Sequence, residues 1–200
     1  MATCNSYTFK QVQNGFHTAV LVQIFDLGMQ ESTFNGETKR RHQIWLQWEL
    51  PDQEMDDGKP MTIGRRYTFS LHEKAALRKH MEQWLGRSFD EAEVKLGYDI
   101  GNRLGKGCTL VVSHNTKGDK TYANIDAISQ APGDFVPDPF NDPIIYVRGK
   151  SSADDLAALP QWAQDANAAA DEIEKRYQPV PKQDHIPGFE DEDIPVSVTG

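Results

Sequence analysis

Residues 61–86 read MTIGRRYTFSLHEKAALRKHMEQWLG, and a change of period falls inside them. Residues 61–71 have the β-branched and aromatic make-up of a strand. From Leu71 onward the apolar residues Leu71, Ala75, Leu77, Met81, Trp84 and Leu85 recur at helical spacing, and Gly86 supplies a C-terminal stop. One strand therefore passes straight into one amphipathic helix.

Two strands precede this unit. Residues 16–30 alternate Val20, Val22 and Ile24 against Leu21 and Phe25, and the turn-rich ESTFNGETK follows. In residues 40–50, RRHQIWLQWEL, one face carries Ile44, Leu46, Trp48 and Leu50, and the other carries Arg41, Gln43, Trp45 and Gln47. The segment PDQEMDDGKP, with Asp-Gly and two prolines, reads as a solvated loop. After the helix, Ser88 with Glu91 has the form of a capping box opening a second short helix. GKGCTLVVSHNT and KTYANIDAISQ then form two strands around the turn Lys117-Gly118-Asp119-Lys120. Five strands with a helix between the third and fourth is the order of a five-stranded OB-fold barrel, so the expected class is mainly β.

Composition changes after Ala131. Nine of the 11 prolines lie in residues 131–200, and PGDFVPDPFNDP has too many fixed φ angles and missing donors for regular structure. Residues 159–177 suit one helix with a thin apolar face of Leu159, Trp162, Ile173 and Tyr177 among alanines. The net charge of −9 is equally uneven. Residues 1–130 hold 16 Lys and Arg against 16 Asp and Glu, whereas residues 131–200 hold 5 against 14. The expected organisation is a domain over 1–131, a proline-rich linker with a possible helix over 132–177, and a disordered acidic tail over 178–200. No apolar run approaches the ~20 residues that span a bilayer. The N-terminus lacks a secretory pattern, and Cys4 and Cys108 form no CxxC. These features predict a soluble, cytoplasmic chain.

The first strand with "DLG", the second ending in "WE", the YTFSLHEKAALRKHMEQWLGRSF unit, the LGKGCTLVVSH…YANIDAIS hairpin and a tail containing "DIP" together resemble the OB-fold single-stranded DNA-binding proteins of bacteriophages. The resemblance spans about residues 16–130 plus the tail tip. It implies sequence-tolerant binding of single strands during DNA replication or recombination, without a cofactor, in the host cell cytoplasm.

Such binding needs cations along the phosphates and flat rings under the bases. Lys39, Arg40 and Arg41 enter the second strand ahead of Trp45, which alternates away from the core. Arg65 and Arg66 stand beside Tyr67 and Phe69 in the third strand, the hairpin contributes Lys117, Lys120 and Tyr122, and Cys108 reads as a core thiol. The plainer readings are that Trp48 and Phe69 are core, that Arg65 and Arg66 pair with carboxylates, and that the hairpin is an ordinary turn. In the tail, Phe189, Asp191, Asp193, Ile194 and Pro195 can dock on a replication or recombination protein or mimic DNA, or the tail is only solubilising.

Signals for catalysis are weak, and no metal or cofactor is expected. GNRLGKGCT has three residues between Gly101 and Gly105-Lys106 where a phosphate loop needs four, and it leads into a strand. His72-Glu73 meets its next histidine only at His80. Asp26, Glu49, Asp52, Glu54, Asp56 and Asp57 suggest a nuclease cluster, but the last four fall in the expected loop. A DNA-processing enzyme such as a nuclease is the alternative, and a replication scaffold a third reading.

Overall fold

β1 (Gly15–Phe34) is 20 residues long and serves two partners. Gly15–Val20 pair antiparallel with β4 (Gly107–Lys117), and Val20–Phe34 pair antiparallel with β2 (Glu37–Glu54). Register shifts at Leu21–Gln23 and Asp26–Gly28 bend the strand between the two ladders. At the second, Gly28 adopts φ +68° and its N–H donates to Asp26 Oδ1 at 2.9 Å. β3 (Pro60–Thr68) adds to β2 and β5 (Lys120–Gln130) adds to β4, giving the order β3-β2-β1-β4-β5. A short β6 (Ile144–Tyr146) pairs parallel with Gln23–Phe25 of β1. This computed structural model describes residues 10–133 and 138–177, and it is mainly β with few helices.

The ladders run further than the turn composition suggests. The β1–β2 pairing continues to Phe34 and Glu37, so the turn is only Asn35-Gly36. Both residues have positive φ (50° and 80°), as a tight hairpin turn demands. The expected loop 51–60 likewise contributes Pro51–Glu54 to β2, leaving a turn that Met55 N–H closes onto the Lys59 carbonyl at 2.8 Å.

α1 (Ala76–Leu85) buries Leu77, His80, Met81 and Trp84 against β5 and β3. It ends as the sequence predicts: Gly86 takes the left-handed conformation (φ 67°), and the N–H groups of Gly86 and Arg87 reach back to Gln83 and Glu82. The capping box of α2 (Glu91–Leu96) is Asp90 with Glu93, not Ser88 with Glu91. The reason is Phe89. Its ring is buried in the main core and its N–H donates to Glu82 Oε1, which holds residues 88–89 outside the helix.

β3 and β5, the two ends of the sheet, approach each other without a continuous ladder. Side chains span the gap. Arg65 Nη1 donates to the Ile125 carbonyl. Tyr67 and His80 are joined through the phenol oxygen and Nδ1 at 2.8 Å, and His80 Nε2 lies 3.2 Å from the Asp126 carbonyl. Between them these contacts link β3, α1 and β5. Inside the curled sheet the core is built on Leu21, Leu46, Trp48, Leu50, Leu110 and Ile128, all fully buried.

Residues 144–177, expected as part of a linker, instead build a second core on the outside of β1. Phe25 and Leu27 alternate outward and pack against Tyr146, Leu159, Ala163 and Ala166, with Trp45 and Leu156 at the margin. α3 (Ala153–Ala157) leads into α4 (Gln161–Tyr177), which lies along β1. The alanines that make its apolar face look thin are what allow the approach. A Cβ at Gly28 would stand 2.7 Å from the Ala170 Cβ, so helix and strand touch at two small residues. Asn167 donates to the Asp26 carbonyl, and Gln30 donates to the Ala166 carbonyl. Glu49, only 1% exposed, receives the N–H groups of Phe140 and Asn141 and so ties down the segment leading to β6. The expected acidic tail, 178–200, lies outside the described residues.

Candidate nucleic-acid interface

The two polar ends of the sheet enclose a groove of about 360 Å³. On one side lies Gly64–Arg65 of β3; on the other are Ser113 and Asn115 of β4 and Asn124 and Asp126 of β5. The groove follows from the missing ladder. Where two strands are bridged by an arginine rather than zipped by backbone bonds, their outer surfaces stay parted.

Register places the hairpin residues on this side. Ser113 pairs with Asn124 and Asn115 with Tyr122, so all four share a face. Tyr122 is 49% exposed. Lys117 and Lys120 pair at the hairpin end, both exposed, around a turn in which Gly118 has φ +57°. Arg66 is exposed, but it alternates to the face of β3 that carries Trp45, and its guanidinium lies 6.0 Å from the Trp162 ring of α4, away from this groove. Arg65, half-buried, is already committed to the Ile125 carbonyl. The channel itself is lined by amide and hydroxyl groups, with the half-exposed Tyr122 ring and two exposed lysines on the hairpin beside it.

Of the residues singled out from sequence, Arg65 lines the groove, and Tyr122, Lys117 and Lys120 lie beside it on the β4–β5 hairpin. The other six do not. Tyr67 is 2% exposed and faces inward onto His80; burial pushes its phenol above the ordinary range. It is a core residue, because strand alternation puts it with Met61 and Ile63. Trp45 does alternate away from the main core, but α4 covers that face. Its ring lies 5.0 Å from Trp162 and so close over Gly64 that a Cβ there would clash with it. Trp45 is packing, not an exposed platform. Lys39, Arg40 and Arg41 lie on the β1–β2 hairpin, beyond the Gln43–Thr68 pair that ends β3. That is about 20 Å along β2 from the groove. Lys39 pairs with Glu37 at 3.2 Å, and Arg40 lies 3.6 Å over the Tyr177 ring of α4. Arg41 is exposed.

Compared with known protein families and with curated proteins, the chain matches none.

The remaining candidates disperse. Asp26 is held by His42 Nε2 at 2.5 Å, and Asp52 lies 3.2 Å from His17 Nδ1. Burial alone would raise the Asp26 pKa; the His42 and Gly28 hydrogen bonds outweigh it and bring it below the usual carboxylate range. Among the described residues no three of His, Cys, Asp and Glu converge as metal ligands would. Cys108 is fully buried, and burial raises its thiol pKa. No described helix is long and apolar enough to cross a membrane.

Sequence reasoning missed Ser113, Asn115, Asn124 and Gly64. For the first three no signal was present, since polar residues alternate along most half-exposed strands. Gly64 did carry one: a glycine inside a strand marks a close approach, here of the Trp45 indole.

Proposed function

We propose that the protein binds single-stranded nucleic acid, DNA in the first instance, without sequence preference, and that its curled sheet is an OB-fold barrel. The observation that carries the reading is the groove between β3 and the β4–β5 hairpin, with exposed Tyr122, Lys117 and Lys120 standing beside it on the hairpin. Sequence-tolerant binding of a single strand asks for those two elements, cations for the phosphates and a ring for a base. A strand laid through the groove passes Tyr122 and the hairpin lysines on the β4–β5 side.

The reading extends to replication or recombination as the setting and the host cytoplasm as the place. The acidic residues 190–193 with Ile194-Pro195 are proposed to recruit a protein partner. The proposed role is binding, not catalysis.

Fluorescence anisotropy of labelled oligo-dT tests it, at two salt concentrations and against duplex competitor. Binding that weakens with salt and ignores duplex supports the proposal. Absence of binding at low salt, or a preference for duplex, refutes it.

A further inference from the structure

We infer that the mouth of the curled sheet beside Asp26 binds a small organic cation, an ammonium group carried on an apolar body. The inference is independent of the nucleic-acid reading and concerns a different part of the molecule. The mouth exists because two strands stop short of it. β4 leaves β1 at Val20 and β3 ends at Thr68, so the side of β1 and β2 that carries Ile24, Asp26 and Ile44 runs on past both. β6 and residues 96–101 supply the remaining walls of a hollow of about 450 Å³. That is the size of an ordinary small-molecule pocket. Phe69, Leu96 and Ile145 line it and are 41%, 84% and 41% exposed, apolar surface without cover.

The charges decide the class of ligand. Two carboxylates, Asp26 and Asp99, line the hollow against one cation, Lys150. Asp26 is only 8% exposed, and both hydrogen bonds to its carboxylate, from His42 Nε2 and the Gly28 N–H, fall on Oδ1. Among the described residues no donor reaches Oδ2. Burial alone would raise the Asp26 pKa, but those bonds bring it below the usual carboxylate range, so the group stays anionic. A neutral imidazole makes its bond from Nε2–H and leaves that charge in place. Arg148, whose charge also acts on Asp26, is shared between Asp171 and Glu174. Asp99 is exposed at the rim, with Oδ1 taken by the Gly101 N–H at 2.8 Å.

A neutral apolar ligand would leave Asp26 Oδ2 unpaired, and an inorganic cation would leave the apolar walls wet. An amine on an apolar body answers both. Phe69, Tyr98 and Tyr146 also line the hollow, and aromatic rings attract a cation lying over them.

The test is a titration of the full chain followed by NMR, using tryptamine, its neutral match tryptophol and its anionic match indole-3-propionate. Tryptamine should shift the amide signals of residues 96–101 and 144–147. It should bind on the order of tenfold more tightly than tryptophol, and indole-3-propionate should not bind. Asp26→Asn should remove the preference for amine over alcohol, and Lys150→Ala, at an exposed position, should tighten tryptamine binding. If Asp26→Asn does not fold, Lys150→Ala and the wild-type ligand series decide. Equal binding of the three ligands, shifts outside the hollow or no binding overturns the inference. Tryptamine that binds Lys150→Ala but not wild type would make Lys150 the hollow's own cation and overturn it as well. A capped lysine, N-acetyl-lysine methylamide, should bind more weakly than tryptamine for want of an aromatic body. Binding as tight as tryptamine's would give the hollow to a partner protein's lysine and refute a small-molecule site.

Discussion

Trp45 and Tyr122 began as equals. Each is an aromatic residue on a strand, each alternates away from the main core, and each has polar neighbours. In the folded chain Trp45 is packed edge-on to Trp162 beneath α4, whereas Tyr122 stands half in solvent beside an open groove. The difference lies in what comes later in the chain. Alternation tells which side of a sheet a residue leaves by; it says nothing of whether a segment more than a hundred residues away returns to cover that side.

The covered side is the more sensitive to substitution. Gly28→Ala adds a Cβ 2.7 Å from that of Ala170 at a backbone position with φ +68°. Both the clash and the left-handed strain oppose it, and urea unfolding should show a loss of about 2–4 kcal/mol. An unchanged midpoint would mean that α4 does not press on β1, and Trp45 would then be free after all.

What the sequence made legible follows from the range over which each signal acts. The strand order, the stop at Gly86 and the outward set of β2 are local patterns, and they appear where the periodicity puts them. The dock of α4 depends on alanines meeting Gly28 across 142 residues, and a row of alanines reads as weak hydrophobicity unless the partner surface is known. The inward turn of Tyr67 was available from alternation with Ile63, but its place beside Arg65 and Arg66 drew it into the basic cluster. The groove arises from a ladder that is absent between β3 and β5, and no local pattern encodes an absence.

The bridge across that gap should be acid-sensitive. Burial, with a smaller contribution from the Arg65 charge, lowers the His80 pKa from 6.5 to about 4. Neutral His80 fits its site: one ring nitrogen faces the Tyr67 hydroxyl and the other faces a carbonyl. Between pH 6.5 and about 4 the unfolded chain binds a proton that the folded chain refuses. Stability is therefore full above 6.5 and falls as pH drops through that window, by roughly 2–3 kcal/mol. Thermal melts should show this slope in wild type and a flatter one in His80→Gln. Equal slopes would remove His80 from the account.

A smaller loss is expected from the arginine in the same bridge. Arg65→Met keeps the aliphatic stem but cannot donate to the Ile125 carbonyl. Unfolding should cost about 1–2 kcal/mol less, in line with a lost charge-assisted hydrogen bond. Removing a bridge at the floor of the groove should also weaken DNA binding, and a variant as stable as wild type would mean that β3 and β5 hold together without it.

The contrast between Tyr122 and Trp45 is tested most directly by one pair of titrations, Tyr122→Ala and Trp45→Ala against the same labelled oligo-dT at low salt, each with a melting curve. Tyr122→Ala should melt as wild type and lose about 1–3 kcal/mol of binding. Trp45→Ala should melt at lower temperature yet, while folded, bind as wild type does. The reverse pattern, Trp45→Ala losing affinity at unchanged stability while Tyr122→Ala binds normally, would place the strand on the face that α4 covers and contradict the assignment of the groove.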